Sequence, residues 1–249
     1  MSTKKPKNFF NSKPTFIKKL FPNHEIKKNI KINNIKPLIS AGKNDLTFYD
    51  SKKYKDLANS TKASFCITTD NLSSDLPKKV EKILVKNVLY ELVILLKKIV
   101  NGADIDYPDL TLKPPIKKRF ISVKFGNNVL IGKNVKIGKS STIGSNTIIE
   151  QNVSIGKSCM IGSQIMIKNT IIGNSVVIQD GAKVGLKGFG FIPLKEKNLR
   201  FPHIGKVILN DNVEIGASCT IDRGSIGNTV IGKNTFLDNQ VHMAHNVKV

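Results

Sequence analysis

Four histidines are the side chains of this chain that exchange a proton near neutral pH without special help, and their settings differ. His245 lies in LDNQVHMAHNV, with Asp238 seven residues before it. An imidazole whose tautomer is held by a carboxylate is the working pair of general-base catalysis. His245 is therefore the candidate base and Asp238 the candidate orienting carboxylate. The residues alone leave a plainer role open, that of a polar side chain at a turn. His242 and His245 have a ligand-like spacing, but a residue facing outward from a strand and one at the next corner point apart, so no metal site is expected. Asn239 and Gln240 are candidate substrate hydrogen-bonders and equally candidate turn formers. His203, in FPHIG, is expected to make a loop contact, and His24 has no partner pattern.

The element that must position these residues is visible as a period. Ile131, Ile137, Ile143, Ile149, Ile155, Ile161 and Ile167 recur every sixth residue, with glycine after five of the seven. Hexapeptide periodicity specifies a parallel β-helix with three short strands per triangular coil. The third residue of each hexad points inward and must be a stiff apolar side chain. The first residue (Val, Ser, Thr, Cys or Ile) also points inward, and glycine is expected to supply the positive φ of the corner. The phase slips to Ile172, continues through Ile178 and Val184, and breaks for an excursion at about 186–205. It returns at Leu209, Ile215 and Ile221, slips across Arg223–Asn228, and runs on through Ile231, Leu237, Met243 and Val249. Loops ejected from a solenoid tend to carry function. A chain ending in the third position of a hexad, without a polar cap, leads to the expectation of a truncated polypeptide.

Residues 1–110 read as a separate α/β domain, 111–120 as a proline-containing linker and 121–249 as the β-helix. Within the first, a strand in LTFYD, a short helix ending near Ser60, a buried strand Ser64–Thr68 and an amphipathic helix from Val80 to about Val100 are expected. Forty basic and 18 acidic residues give a net charge of +22. That excess suits an acidic partner or an anionic surface, and a lysine-rich coding bias explains it as well. No nucleic-acid motif or aromatic-interleaved basic stripe accompanies it, so nucleic acid is not an expected partner. Cys66, Cys159 and Cys219 are scattered as reduced core residues are. MSTKKPKNFF lacks the apolar core of a signal peptide, and the apolar run near Val88–Leu96 is too short to span a bilayer. At most peripheral membrane contact is expected.

Three strings carry a family resemblance: GFGF at 188–191, FPHIGKVILNDNVEIGASCTIDRGS at 201–225 and LDNQVHMAHNV at 237–247. With IKPLISAGKNDLTFYDSKKY near the N-terminus, the chain resembles the UDP-3-O-acylglucosamine N-acyltransferases of lipid A biosynthesis. The resemblance implies a mainly β protein, a left-handed parallel β-helix preceded by a small α/β uridine-binding domain. It implies a homotrimer with active sites between subunits and a location in the cytoplasm of a Gram-negative bacterium, near the inner membrane. The implied reaction moves an (R)-3-hydroxyacyl chain from acyl carrier protein to the 2-amine of UDP-3-O-acylglucosamine, with no cofactor. An amine attacking a thioester must lose a proton, which His245 matches as base and Asp238 as its support. Phe48 and Tyr54 match the aromatics that hold uracil. Between them Ser51 stands where the family usually has asparagine, one hydroxyl replacing an amide that both donates and accepts, so weaker uracil selectivity is expected. GFGF does not sit between a strand and a helix N-terminus and so is no phosphate loop. Phe189 and Phe191 are expected to line the sugar or acyl site. Two other readings stand beside this one: another hexapeptide acyltransferase acting on a nucleotide sugar, and an inactive remnant that still binds nucleotide or trimerises.

Overall fold

The computed structural model describes residues 13–100 and 102–249. MSTKKPKNFF, which bears on the signal-peptide question, lies outside them. The described residues divide into two compact units: Ile105–Phe189 with His203–Val249, and residues 13–104 with Gly190–Pro202. No helix among the described residues is long and apolar enough to cross a membrane.

The unit that begins at Ile105 is a left-handed parallel β-helix built on the hexapeptide repeat. Its described strands form three stacked parallel sheets of six, six and five strands. The repeat becomes register in space. Ile143 pairs with Ile161, Ile161 with Ile178, Ile178 with Ile215 and Ile215 with Leu237. Each third-position side chain thus sits on its counterpart one coil away, and Ile143, Ile149, Ile167, Ile215, Ile221 and Ile231 are fully buried. Burying one such side chain stabilises by roughly 1.5–3 kcal/mol. The polar first positions are buried too, and the coils satisfy them. Ser141 Oγ donates to the Gly156 carbonyl at 3.1 Å and Thr147 Oγ1 to the Gly162 carbonyl at 2.9 Å.

The corners correct one expectation. Positive φ falls two residues after the glycine, on Asn128, Asn134, Ser140, Asn146, Ser158 and Gln164, and on Asn152 two residues after Glu150, at 55–64°. Asparagine enters the left-handed region more readily than most residues because its short amide bonds locally. The glycines are needed for closeness instead. A Cβ on Gly138 or Gly144 would stand 2.5 Å from the backbone of Gly156 or Gly162 in the next coil.

The slip at Ile172 and the start of the excursion are built into the wall. Thr170–Ile172 absorbs the early isoleucine by pairing Ile172 with Ile155. Lys183–Lys187 runs beside Thr220–Arg223 with a register shift between Val184 and Leu186. Residues 111–120, expected as a linker, lie in the β-helix unit. Lys113 bridges Ile131, Arg119 Nη2 donates to the Val135 carbonyl at 2.9 Å, and Phe120 joins the β-helix core. The prolines forbid a continuous ladder there, but the Asp109 carboxylate accepts from Thr111 N and Gln151 N and ties the segment down.

In the other unit four parallel strands lie in the order Asn34–Ile35, Asp45–Tyr49, Phe65–Thr68, Glu81–Leu84. Lys55–Ser60 is the short helix, and Phe65–Thr68 is buried throughout. The long helix is Val88–Ile99, not the run from Val80. Asn87 Oδ1 caps it by accepting from Tyr90 N at 3.0 Å. Val80 and Ile83 are instead buried against the sheet, Ile83 in the strand Glu81–Leu84 that pairs with Phe65–Thr68. Apolar spacing over so short a stretch suits a helix and a strand alike, and the cap decides. Gly190–Pro202 is a hairpin in which Phe191–Pro193 pairs antiparallel with Asn198–Arg200.

Candidate active site

His245 occupies the corner after the strand His242–Met243 and is half-buried. Its ring meets that of His203 edge to face, centroids 4.9 Å apart at 77°. His203 is fully buried where the chain rejoins the β-helix, and its carbonyl accepts from Arg223 Nε at 3.0 Å. It therefore packs against His245 and is not only a loop contact. Gly188 lies against both rings. A Cβ there would come 2.8 Å from His203 Nε2 and 2.9 Å from His245 Cβ and Cδ2. The first glycine of GFGF thus owes its place to two imidazoles.

The structure does not bring Asp238 to His245 within the chain. Asp238 stands exposed at the preceding corner, where its Oδ1 accepts from Asn239 N at 2.7 Å. Seven residues along a β-helix lead from one corner of the triangle to the next, so closeness in sequence is not closeness in space. Asn239 Oδ1 accepts from Ala217 N at 2.7 Å, one coil back, and Gln240 holds the corner with φ 58°. The carboxylate whose charge acts on His245 and His242 is Asp222, which is buried. Burial raises its pKa, and the charges of His242, His245, Arg223 and Lys187 pull it back. Its Oδ2 lies 3.9 Å from His242 Nε2, and His242 Nδ1 lies 2.7 Å from Thr220 Oγ1.

Nearby runs a chain of charges, two of them, Arg223 and Lys168, buried and two, Asp106 and Glu150, half-buried. Arg223, fully buried, donates from Nη1 to Asp106 Oδ1 at 3.0 Å and to the Gly185 carbonyl at 3.3 Å. Lys168 Nζ joins Asp106 at 3.4 Å to Glu150 at 2.9 Å. Burial raises the Glu150 pKa and Lys168 opposes it. Such groups fix backbone position, because removing one strands the others without compensation. Asp222 and Arg223 were legible only as letters of TIDRG. The signal that finds them is the coil register, Thr220 beside His242 and Ile221 beside Met243.

The expected uracil residues occur at and just after the carboxyl end of Asp45–Tyr49, the end at which parallel sheets bind ligands. Phe48 is half-buried and Tyr54 is 43% exposed, so each retains accessible ring surface. Ser51 caps the turn Lys52–Tyr54, its hydroxyl accepting from Lys53 N at 3.4 Å. The neighbouring Tyr49 is not available to a ligand. Its buried hydroxyl donates to Asp75 at 2.9 Å, and burial and that carboxylate push its pKa up to about 12. Phe189 is 85% and Phe191 42% exposed, the first in the β-helix unit and the second in the hairpin.

Comparison with known proteins matches residues 29–97 to the family described as UDP-3-O-(3-hydroxymyristoyl) glucosamine N-acyltransferase, LpxD, and residues 122–157 to the bacterial transferase hexapeptide repeats. The UDP-3-O-acylglucosamine N-acyltransferase of Rhizobium rhizogenes is 50% identical over 78 residues, 31% of this chain and 22% of that protein. Its counterpart in Agrobacterium fabrum is 48% identical over 79 residues, 32% and 22% of the two chains. The matched stretch thus spans about a fifth of the length of these relatives. Among solved structures, WeeI from Acinetobacter baumannii is 16% identical with a TM-score of 0.34, covering 94% of this chain and 88% of that one. AntD, an N-acyltransferase from Bacillus cereus, is 24% identical with a TM-score of 0.24, covering 53% and 77%. The chain resembles the UDP-3-O-acylglucosamine N-acyltransferases.

Proposed function

We propose that the protein is an N-acyltransferase that moves a 3-hydroxyacyl group from an acyl carrier protein thioester to the 2-amine of UDP-3-O-acylglucosamine. The observation that carries this reading is the joining in one chain of a unit similar to that family with a hexapeptide β-helix whose corner holds a half-buried histidine packed on a second one. His245 is the general base: it takes the proton the amine must lose as nitrogen attacks the thioester carbon. The tetrahedral intermediate then collapses, the carbon–sulfur bond breaks and the imidazolium returns the proton to the leaving thiolate. Asp222 supports the imidazolium as it forms, the role first assigned to Asp238. Asp238, Asn239 and Gln240 offer polar contacts to substrate from their exposed corner.

In this reading Phe48 and Tyr54 hold the uracil ring, Ser51 faces its edge, and Phe189 and Phe191 supply apolar surface to the sugar or acyl chain. The acting species is a homotrimer, as the hexapeptide β-helix favours, working in the cytoplasm. The decisive experiment is an acyl-transfer assay with both substrates. His245→Ala should lower turnover by about 10²–10⁴ and leave uridine nucleotide binding unchanged; near-normal turnover would remove His245 as base.

A further inference from the structure

We propose that Asn246, held by Ser225, sets the tautomer of His245 and is the positioning residue of the base, an inference that rests on the role given to His245 above. Asn246 Oδ1 accepts from the Ser225 backbone N–H at 3.0 Å and lies 2.8 Å from the Ser225 hydroxyl. A peptide N–H only donates, so the amide atom facing it is the oxygen and not the nitrogen. His245 Nδ1 lies 2.9 Å from that same oxygen. An amide oxygen has no hydrogen to give, so this bond forms only when Nδ1 carries one. A neutral imidazole has a single N–H, which leaves Nε2 with its lone pair, the nitrogen a base must use.

Asn246 is itself fixed. Its backbone N donates to Thr229 Oγ1 at 2.9 Å, and its φ of 67° suits asparagine better than most residues. A carboxylate in this place, as in serine-protease triads, would choose the same tautomer and also raise the basicity of the ring. A neutral amide chooses the tautomer alone. The other titratable groups around the ring are His203, Asp222 with His242 beside it, and Lys187, whose Nζ donates to the Gly188 carbonyl at 3.2 Å. None of them is altered by a change at Asn246.

Long-range proton–nitrogen spectra of protein labelled with 15N-histidine read the tautomer directly, with His245→Gln assigning the signal. The expected result is a protonated Nδ1 in the wild type, lost in Asn246→Gly, which keeps the backbone freedom and removes the acceptor. That variant should also lose about tenfold or more in kcat with KM for the nucleotide sugar little changed. Asn246→Asp should keep the Nδ1–H form and move the acidic limb of the pH–rate profile about one unit upward. A wild-type His245 protonated at Nε2, or an Asn246→Gly spectrum identical to wild type, would overturn the proposal. Wild-type turnover in His245→Gln, with an Nδ1–H signal that depends on Asn246, would support the tautomer assignment and overturn only the base reading.

Discussion

Asp222 shows how a single side chain acquires a role from its surroundings. Burial outweighs the attraction of its cationic neighbours, so it binds a proton more tightly folded than unfolded. By linkage its contribution to stability is complete below its unfolded pKa and is lost as pH rises through the higher folded one. Asp222→Asn should therefore gain stability relative to wild type between about pH 4 and pH 7, which thermal melts at both pH values would show. The same variant should reduce turnover more than Asp238→Asn, because within the chain the carboxylate that acts on the His245 ring is Asp222 and not Asp238. In the other unit, Phe48→Ala and Tyr54→Ala should each weaken UDP-sugar binding by about 1–3 kcal/mol if both rings stack on the base. Ser51→Asn should hold or tighten it; calorimetry reads both, and equal affinity for UDP and ADP would end the uridine assignment.

At the scale of the element, glycine and asparagine divide the work of the corner. Gly144→Ala should destabilise strongly, since its Cβ meets backbone that cannot move aside. Asn152→Gly should cost little and Asn152→Val more, by about 1–2 kcal/mol for a side chain forced into the left-handed region. Ile149→Ala should cost about 2–5 kcal/mol as a cavity in a ladder with no slack. Gly188→Ala tests the excursion differently. Its new methyl meets two imidazoles and only side-chain atoms, so turnover should fall far more than the melting temperature. Equal losses in Gly144→Ala and Gly188→Ala melts would show that the excursion glycine is structural.

At the scale of the molecule, two units with separate cores should respond separately to ligand. A uridine nucleotide at about one hundred times its Kd should stabilise the unit it binds by about 2.7 kcal/mol. In calorimetry only the transition of that unit should move, and Phe48→Ala should abolish the shift. ADP giving the same shift would mean the site reads a nucleotide and not uracil. Analytical ultracentrifugation should find a trimer; a monomer with full turnover would place the site within a single subunit.

The sequence by itself determined the coil. A six-residue period in isoleucine leaves few architectures, and its break after Val184 falls where the strand register shifts, between Val184 and Leu186. Local chemistry was legible for the same reason: the strand in LTFYD, the helix ending at Ser60 and the buried strand at 65–68 each depend on neighbours in the chain. The helix start was not, because Val80 and Ile83 suit a helix stripe and a strand face equally until Asn87 takes its cap. Nor was the company of His245, which only the tertiary structure decided. A solenoid separates residues seven apart onto different corners and brings those a coil apart into contact. Beside the adjacent Asn246, the surroundings of His245 were therefore found in Asp222, His203 and Gly188, tens of residues away, with Ser225 holding Asn246, and not in Asp238.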